Sequence, residues 1–397
     1  MSDVAWGGDV YVAAQDAAGA LQHTRRAGAA AVHEDTDELV ARIADALLGL
    51  QFKTWDFGDS VAFEALIAAS AHLGTDRWES FAYGWGRAWA TRAMPFARLD
   101  CTVPGRALTL IAERHDDGQL RDTLVALARF LRERPALDGV FTTWDSSPLL
   151  SPYGDAVVTS RDSELLAMSP AGVFVDCLHF DPPFFTALGR ITADDDLVAE
   201  GVAQARGYIR LLQRSDGLFD HFVLEGVTGT FGPGWGRGQG WAALGLIETL
   251  HELRARRRSG GDDRFDADGR ALAAAAERLL ARMGELQRAD GHWEVVVDVP
   301  GSGDEFSTAA FMAYAMDLAV SSGIGDHRAL TPVAQRARRA VLGSLDARGQ
   351  LREVSAAVYA STVPSHYAAV PRGYVVPWGQ GPALLAMTSG TRRGATR

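Results

Sequence analysis

The chain has 397 residues, 47% of them hydrophobic and 22% charged, and a formal net charge of −11. That acidic balance, without a sustained basic stripe, argues against nucleic acid or an anionic membrane surface as partner, and no apolar run approaches the roughly 18 residues of a membrane span. Two cysteines, Cys101 and Cys177, support neither a disulfide framework nor a cysteine zinc site, and a single lysine, Lys53, leaves Schiff-base chemistry one candidate.

Taken in chain order, residues 1–34 read as an N-terminal extension. They lack the basic and apolar segments of a signal peptide, so a cytoplasmic location is expected. DTDELVARIADALLGL (35–50) opens with a capping box at Asp35 and Glu38, then sets Leu39, Ile43, Leu47 and Leu50 on one side of a helix. Helical periodicity returns over 59–73, 76–93, 104–114 and 119–133. Asp100, in FARLDCTVPGRALTL, stands just before the helix that Pro104 opens, where it reads as a cap or a buried carboxylate.

The segment 134–175, rich in Pro, Ser and Asp, reads as a long loop, and loops of that length commonly form functional rims. It runs into VFVDCLHFDPPFF (173–185), almost continuously apolar yet carrying Asp176, His179 and Asp181. Asp181 is expected to cap a helix over 182–190 with Pro182 at its first position. Asp176 has no such role. An apolar pocket favours the protonated carboxyl, which makes Asp176 a candidate proton donor.

After a helix over 194–213, GLFDHFVLEG (217–226) presents His221 on a turn. GTFGPGWGRGQGWAALG (229–245) follows as a glycine-dense loop that delivers Trp235, Arg237, Gln239 and Trp241 to a helix over 241–257. It lacks the Lys-Ser/Thr of a P-loop. Two tryptophans around an arginine suit a sugar ring stacked on indole, its carboxylate held by guanidinium. Helices are further expected over 268–286, 307–320, 331–344 (Thr331 as cap, Pro332 in the first turn) and 379–388. Glu305 and Ser307 read as first-turn chemistry, and 391–397 as a flexible tail.

QRSDGLFDH (213–221), QRADGHWEV (287–295) and DARGQLREV (346–354) each follow a helix and turn at glycine. About twelve helices with repeated turns predict an all-α chain of stacked hairpins, closed as an (α/α)6 barrel of six hairpins or left open as a solenoid. No Pro/Ser-rich linker divides residues 35–390, so one domain is expected. Metal-ligand spacing such as HExxH is absent, and neither metal nor cofactor is expected.

The order LDCTVPGRAL, VFVDCLHFDPPF, LLQRSDGLFDH, WGRGQGWAALG, LQRADGHWEVVVDVPGSGDEFSTAAF resembles glycoside hydrolase families 88 and 105, the unsaturated glucuronyl and rhamnogalacturonyl hydrolases. The resemblance spans roughly residues 50–390 and implies an (α/α)6 barrel. It implies a substrate with a C4=C5 double bond conjugated to its carboxylate. An aspartic acid protonates C4, water adds at C5, and the hemiketal opens to release the aglycone. It places the general acid/base on Asp176, a supporting aspartate on Asp100, and substrate contacts on His221, Trp235, Arg237 and Trp241. Three positions depart from the family pattern: Gln239 stands where asparagine is usual, Thr143 stands where a histidine is expected unless the 134–175 segment displaces that histidine, and His179, three residues after Asp176, stands where tyrosine is commoner.

Three rivals stand beside that reading. An inverting glycosidase would need a second carboxylate roughly 6.5–9.5 Å across the ring from the first, a part open to Asp100. A non-catalytic helical-repeat protein would bind partners on a concave face. An epimerase-like isomerase would need paired histidines, which the sequence does not present. The expected partner is a small unsaturated oligosaccharide or glycoside; aglycone and oligomeric state are not legible.

Overall fold

The computed structural model describes residues 36–52, 55–92 and 96–389. The expected extension 1–34, the cap at Asp35, Lys53 and the tail 391–397 lie outside the described residues. Among the described residues fourteen α-helices dominate, with two short antiparallel strand pairs. Twelve helices form six pairs. The outer members are α1 (Thr36–Leu48), α3 (Arg77–Ala90), α5 (Gly118–Leu131), α8 (Asp195–Leu212), α10 (Asp266–Glu285) and α12 (His327–Gly343). The inner members are α2 (Asp59–Leu73), α4 (Gly105–Arg114), α7 (Cys177–Thr192), α9 (Gly236–Arg258), α11 (Ser307–Ser321) and α14 (Pro377–Ser389).

The inner helices pack in the order α2, α4, α7, α9, α11, α14, and α14 returns to pack on both α1 and α2. That last contact closes the ring, and the fold is an (α/α)6 barrel, not an open solenoid. The sequence decides which helix lies where. Outer α1 buries only Leu39, Val40, Ile43, Ala44 and Leu47, one stripe at helical spacing. Inner α7 buries every residue from Cys177 to Gly189. A helix apolar all round has no solvent face to offer and goes to the centre.

Connections from inner to outer helices are short, such as residues 193–194 between α7 and α8. Connections from outer to inner are long, such as 132–176 between α5 and α7. All six inner N-termini therefore open towards the end that carries the long loops. The partial positive charge of each helix start is directed there.

Several expected boundaries move. The helix expected from 182 begins at Cys177, so Asp181 lies inside it as a fully buried residue, its Oδ1 2.7 Å from Arg134 Nη2. Burial raises the Asp181 carboxyl above its ordinary value against the pull of Arg134. Pro182 has no N–H for the Leu178 carbonyl, and α9 approaches that carbonyl so closely that a Cβ at Gly245 would sit 2.1 Å from it. Asp326, not Thr331, caps α12, and Pro332 falls inside that helix. The helix expected from 241 begins at Gly236, so the glycines after 235 are not loop residues. A Cβ at Gly240 would meet the Phe311 ring at 2.5 Å. These glycines let inner helices touch.

The 134–175 segment is not a bare loop. It carries a strand pair, β1 (Ala136–Leu137) with β2 (Val140–Phe141), the helix α6 (Ser160–Ala167), and β3 (Gly172–Phe174). A second short helix, α13 (His366–Ala369), lies in the connection before α14. No described helix is long and apolar enough to cross a membrane.

Candidate active site

At the loop-bearing end of the barrel is an open cavity, about 630 Å³ of empty space with the adjoining solvent included, lined by the first turns of α7 and α9 and by segments around residues 57, 102, 143–148, 174, 221, 235 and 357–360. Strand β3 pairs antiparallel with β4 (Phe222–Leu224), Phe174 opposite Phe222. One residue further, Val175 N–H donates to the His221 carbonyl at 2.8 Å. That register sets Asp176 beside His221. Asp176 occupies the cap position of α7, yet its side chain makes no cap hydrogen bond. Its Oδ2 lies 3.3 Å from His221 Nε2, with 15% of the side chain exposed. The carboxyl is thus not sealed in hydrocarbon as expected: it faces a histidine and a cavity.

Behind His221, Nδ1 lies 2.7 Å from the hydroxyl of the buried Tyr367. Burial first, then nearby Asp176, push the Tyr367 phenol well up, and its oxygen accepts the backbone N–H of Ser361. With the phenol donating to Nδ1, a neutral imidazole would carry its hydrogen on Nε2, facing Asp176. Gly232, at φ +65°, makes this approach possible, since a Cβ there would lie 2.2 Å from the Tyr367 oxygen.

Trp235 packs on His221 with ring centroids 4.4 Å apart. Arg237 lies over the same indole at 5.1 Å. Its Nη1 donates to Glu305 Oε1 at 3.1 Å and to Ser355 Oγ at 2.7 Å, and Nη2 donates to the Ala356 carbonyl at 3.2 Å. Burial lowers the Arg237 pKa, opposed by Glu305 and Asp176. Trp235 Nε1 and Arg237 Nε, on two residues that line the cavity, are buried without a protein partner. Glu305 also accepts from Thr308 N–H and Ser355 N–H, so the first-turn role of this segment and the counter-charge for Arg237 are one feature.

Asp176, His221, Trp235, Arg237 and Thr143 meet at the cavity; Asp100, Gln239, Trp241 and His179 are not in its lining. Thr143 points its hydroxyl at Cys177 Sγ, 3.0 Å away. Gln239 is a buried clamp: its amide accepts from Phe219 N–H at 2.8 Å and donates to the Phe219 carbonyl at 2.8 Å and the Trp235 carbonyl at 3.0 Å. It steadies the turn that carries His221. Trp241 is fully buried against Phe311 and His179. Asp100 is buried, bonded to Arg92, the Trp89 indole N–H and the Ala97 N–H, and so secures its own 3₁₀ turn.

His179 points away from the cavity into a buried charge cluster. Its Nδ1 lies 3.0 Å from Glu248 Oε2, a close ion pair whose angle misses a good hydrogen bond. Arg106 reaches Glu64 at 3.1 Å, Glu252 at 3.2 Å and Glu248 at 3.5 Å. Ligand atoms of Glu64, His179 and Glu248 lie within 4.8 Å of one another, a spacing a metal ion could use. Arg106 already supplies positive charge there, so the cluster reads as ion pairs. Sequence reasoning missed it because its members sit on α2, α4, α7 and α9. It missed Tyr367 for the same reason: nothing local marks a tyrosine 146 positions from its histidine.

The sequence profile described as Glycosyl Hydrolase Family 88 matches residues 37–393. The unsaturated rhamnogalacturonyl hydrolase YesR of Bacillus subtilis (strain 168) is 22% identical over 356 residues, which cover 88% of this chain and 94% of that protein. A possible GH105 member from Salmonella enterica serovar Paratyphi A superimposes with TM-score 0.77 at 18% identity, over 93% of this chain and 97% of that one. An unsaturated glucuronyl hydrolase from Bacillus sp. GL1 does so with TM-score 0.65 at 18% identity, over 90% and 96%. The barrel is shared with both structures.

Proposed function

The chain belongs to glycosyl hydrolase family 88 and is a glycoside hydrolase, and on that premise we propose that it acts on 4,5-unsaturated uronyl glycosides by hydrating the ring double bond. One observation carries the proposal. Asp176 stands at a helix start without capping it, and its carboxyl opens into the cavity against His221. Both relatives with established names act on unsaturated uronyl groups, which supports the same substrate class here.

Protonated Asp176 gives its proton to C4, and the electron pair of the C4=C5 bond forms the new C–H bond. Positive charge develops at C5 and the ring oxygen, beside the carboxylate left on Asp176. Water adds at C5 and returns a proton to Asp176. The hemiketal opens, and the aglycone leaves as an alcohol; one water is consumed. His221 Nε2–H, fixed by Tyr367, steadies the Asp176 carboxylate between the two proton transfers. The positive charge of Arg237 in the cavity lining and the converging inner helix starts favour the substrate carboxylate.

Displacement at the anomeric carbon by a carboxylate pair has less support. Among the described residues Asp176 is the one carboxylate in the cavity lining, and Asp100 is buried and bonded elsewhere. The experiment is ultraviolet absorbance of an unsaturated uronyl glycoside, because hydration destroys the conjugated enol ether. The signal should fall with the wild type and stay flat with Asp176→Asn. Equal rates for both would end the proposal.

A further inference from the structure

Resting on that reading of the reaction, we propose that the site takes a hydrophobic, aryl-type aglycone and not a second sugar. The charged and hydroxyl-bearing aliphatic side chains of the cavity lie at its floor, and most of them are held by protein partners. The Thr102 hydroxyl donates to the Leu99 carbonyl at 2.9 Å, and the Thr143 hydroxyl contacts Cys177. Both nitrogens of His221 are taken, and the Arg237 Nη atoms are held by protein groups. Of the floor residues, Asp176 keeps a carboxyl that is partly exposed to the cavity, while Trp235 Nε1 and Arg237 Nε are buried beside it without a protein partner. That set fits one uronyl ring. A further pyranose would bring several hydroxyls into the mouth, where each unpartnered group loses its water without replacement.

The mouth is largely apolar and aromatic, its side-chain polar groups being the Tyr359 hydroxyl and the Trp144 indole N–H. Its half-exposed residues are Phe57, Trp144, Pro148 and Tyr359. Trp144 packs on a small hydrophobic cluster separate from the main core, built on Phe174, Phe222, Leu224 and Ala360. Phe174 is the cavity-side end of a three-ring stack: Phe174 on Phe222 at 5.2 Å and 18°, Phe222 on Phe231 at 5.1 Å and 21°. The two mouth segments are tied together, Leu150 N–H donating to the Ala360 carbonyl at 2.8 Å. Tyr359 at the rim has φ +49°, a conformation disfavoured for most residues with a side chain. An aromatic group leaving the floor sugar meets rings already ordered to receive it, with no polar group stranded.

The test compares the benzyl 4,5-unsaturated glucuronide with the corresponding glucuronyl-glucose disaccharide on the full chain, following loss of ultraviolet absorbance. Benzyl alcohol is as poor a leaving group as a sugar hydroxyl, so the ratio reports binding and not leaving-group strength. The expected kcat/KM for the benzyl glycoside is at least tenfold higher, about 1.4 kcal/mol of discrimination. Trp144→Ala should lower the benzyl-to-disaccharide ratio at least fivefold, and Trp144→Phe should restore most of it. A disaccharide hydrolysed as well as the benzyl glycoside, or a ratio untouched by Trp144→Ala in a folded protein, overturns the inference and leaves the reaction standing. Turnover of neither compound overturns the reaction itself, and the inference with it.

Discussion

Tyr367→Phe isolates the wiring behind Asp176. The substitution keeps the ring that packs beside His221 at 5.6 Å and Trp235 at 6.2 Å and removes only the hydroxyl. The lost bond to His221 Nδ1 is 2.7 Å long and fully buried, so the cost to folding is about 1–3 kcal/mol, mostly from an acceptor left dry. The effect on turnover should be larger. Without the phenol proton on Nδ1, the ring hydrogen is no longer pinned to Nε2, and Asp176 loses a fixed donor while it alternates between acid and carboxylate. Loss of tautomer control in a histidine–carboxylate pair costs up to about 10⁴ in kcat when the pair performs the chemistry. Here the histidine only supports the acid, and a fall of about 10–100-fold in kcat is expected with KM within about threefold. The absorbance assay gives both constants, and calorimetry gives the stability. A variant that folds, melts a few degrees lower and keeps wild-type kcat would refute the relay. A raised KM with unchanged kcat would reduce His221 to a ground-state contact.

Other expectations test packing and charge. Burial, then the neighbouring Glu248, push the Glu64 carboxyl above its ordinary value, so the folded state holds a proton that the unfolded chain gives up. That contribution is complete below the ordinary carboxyl pKa and is lost as pH rises towards the folded value of about 8; Glu64→Gln should flatten the fall in Tm over that window, and an unchanged slope would remove Glu64 as its source. Arg237→Met leaves Glu305 as an uncompensated buried charge and should cost about 3–5 kcal/mol in denaturant unfolding. The double variant Arg237→Met/Glu305→Leu should recover part of that loss; strict additivity of the two single effects would deny the coupling. Gly240→Ala drives a methyl into the Phe311 ring and should destabilise by about 1–3 kcal/mol; a neutral outcome would mean that α9 and α11 are free to part.

How much of this was legible beforehand follows from the range of each signal. Helix existence came from periodicity within one segment, and the outer helices, each with a single apolar stripe, were plain. The glycines after Trp235 read locally as a loop because their reason lies elsewhere: Phe311 against Gly240, the Leu178 carbonyl against Gly245. Pro182 makes Asp181 read locally as a cap, whereas Arg134, 47 residues away, accounts for it. His179, Trp241 and Gln239 carried the right chemistry for a sugar site, yet α7 and α9 turn them inward, an orientation fixed by helix packing and not by residue type.

The sequence by itself determined the all-helical class, the hairpin repeat and the isolation of Asp176 as a carboxylate without a local purpose, because these depend on residues within a few turns of one another. Only the tertiary structure decided that the hairpins close. The same holds for the strand register that faces His221 with Asp176, for Tyr367 and Glu305 backing the site, and for the apolar mouth. Each of those is a contact across tens to hundreds of residues, and its energy exists only once the ring has formed.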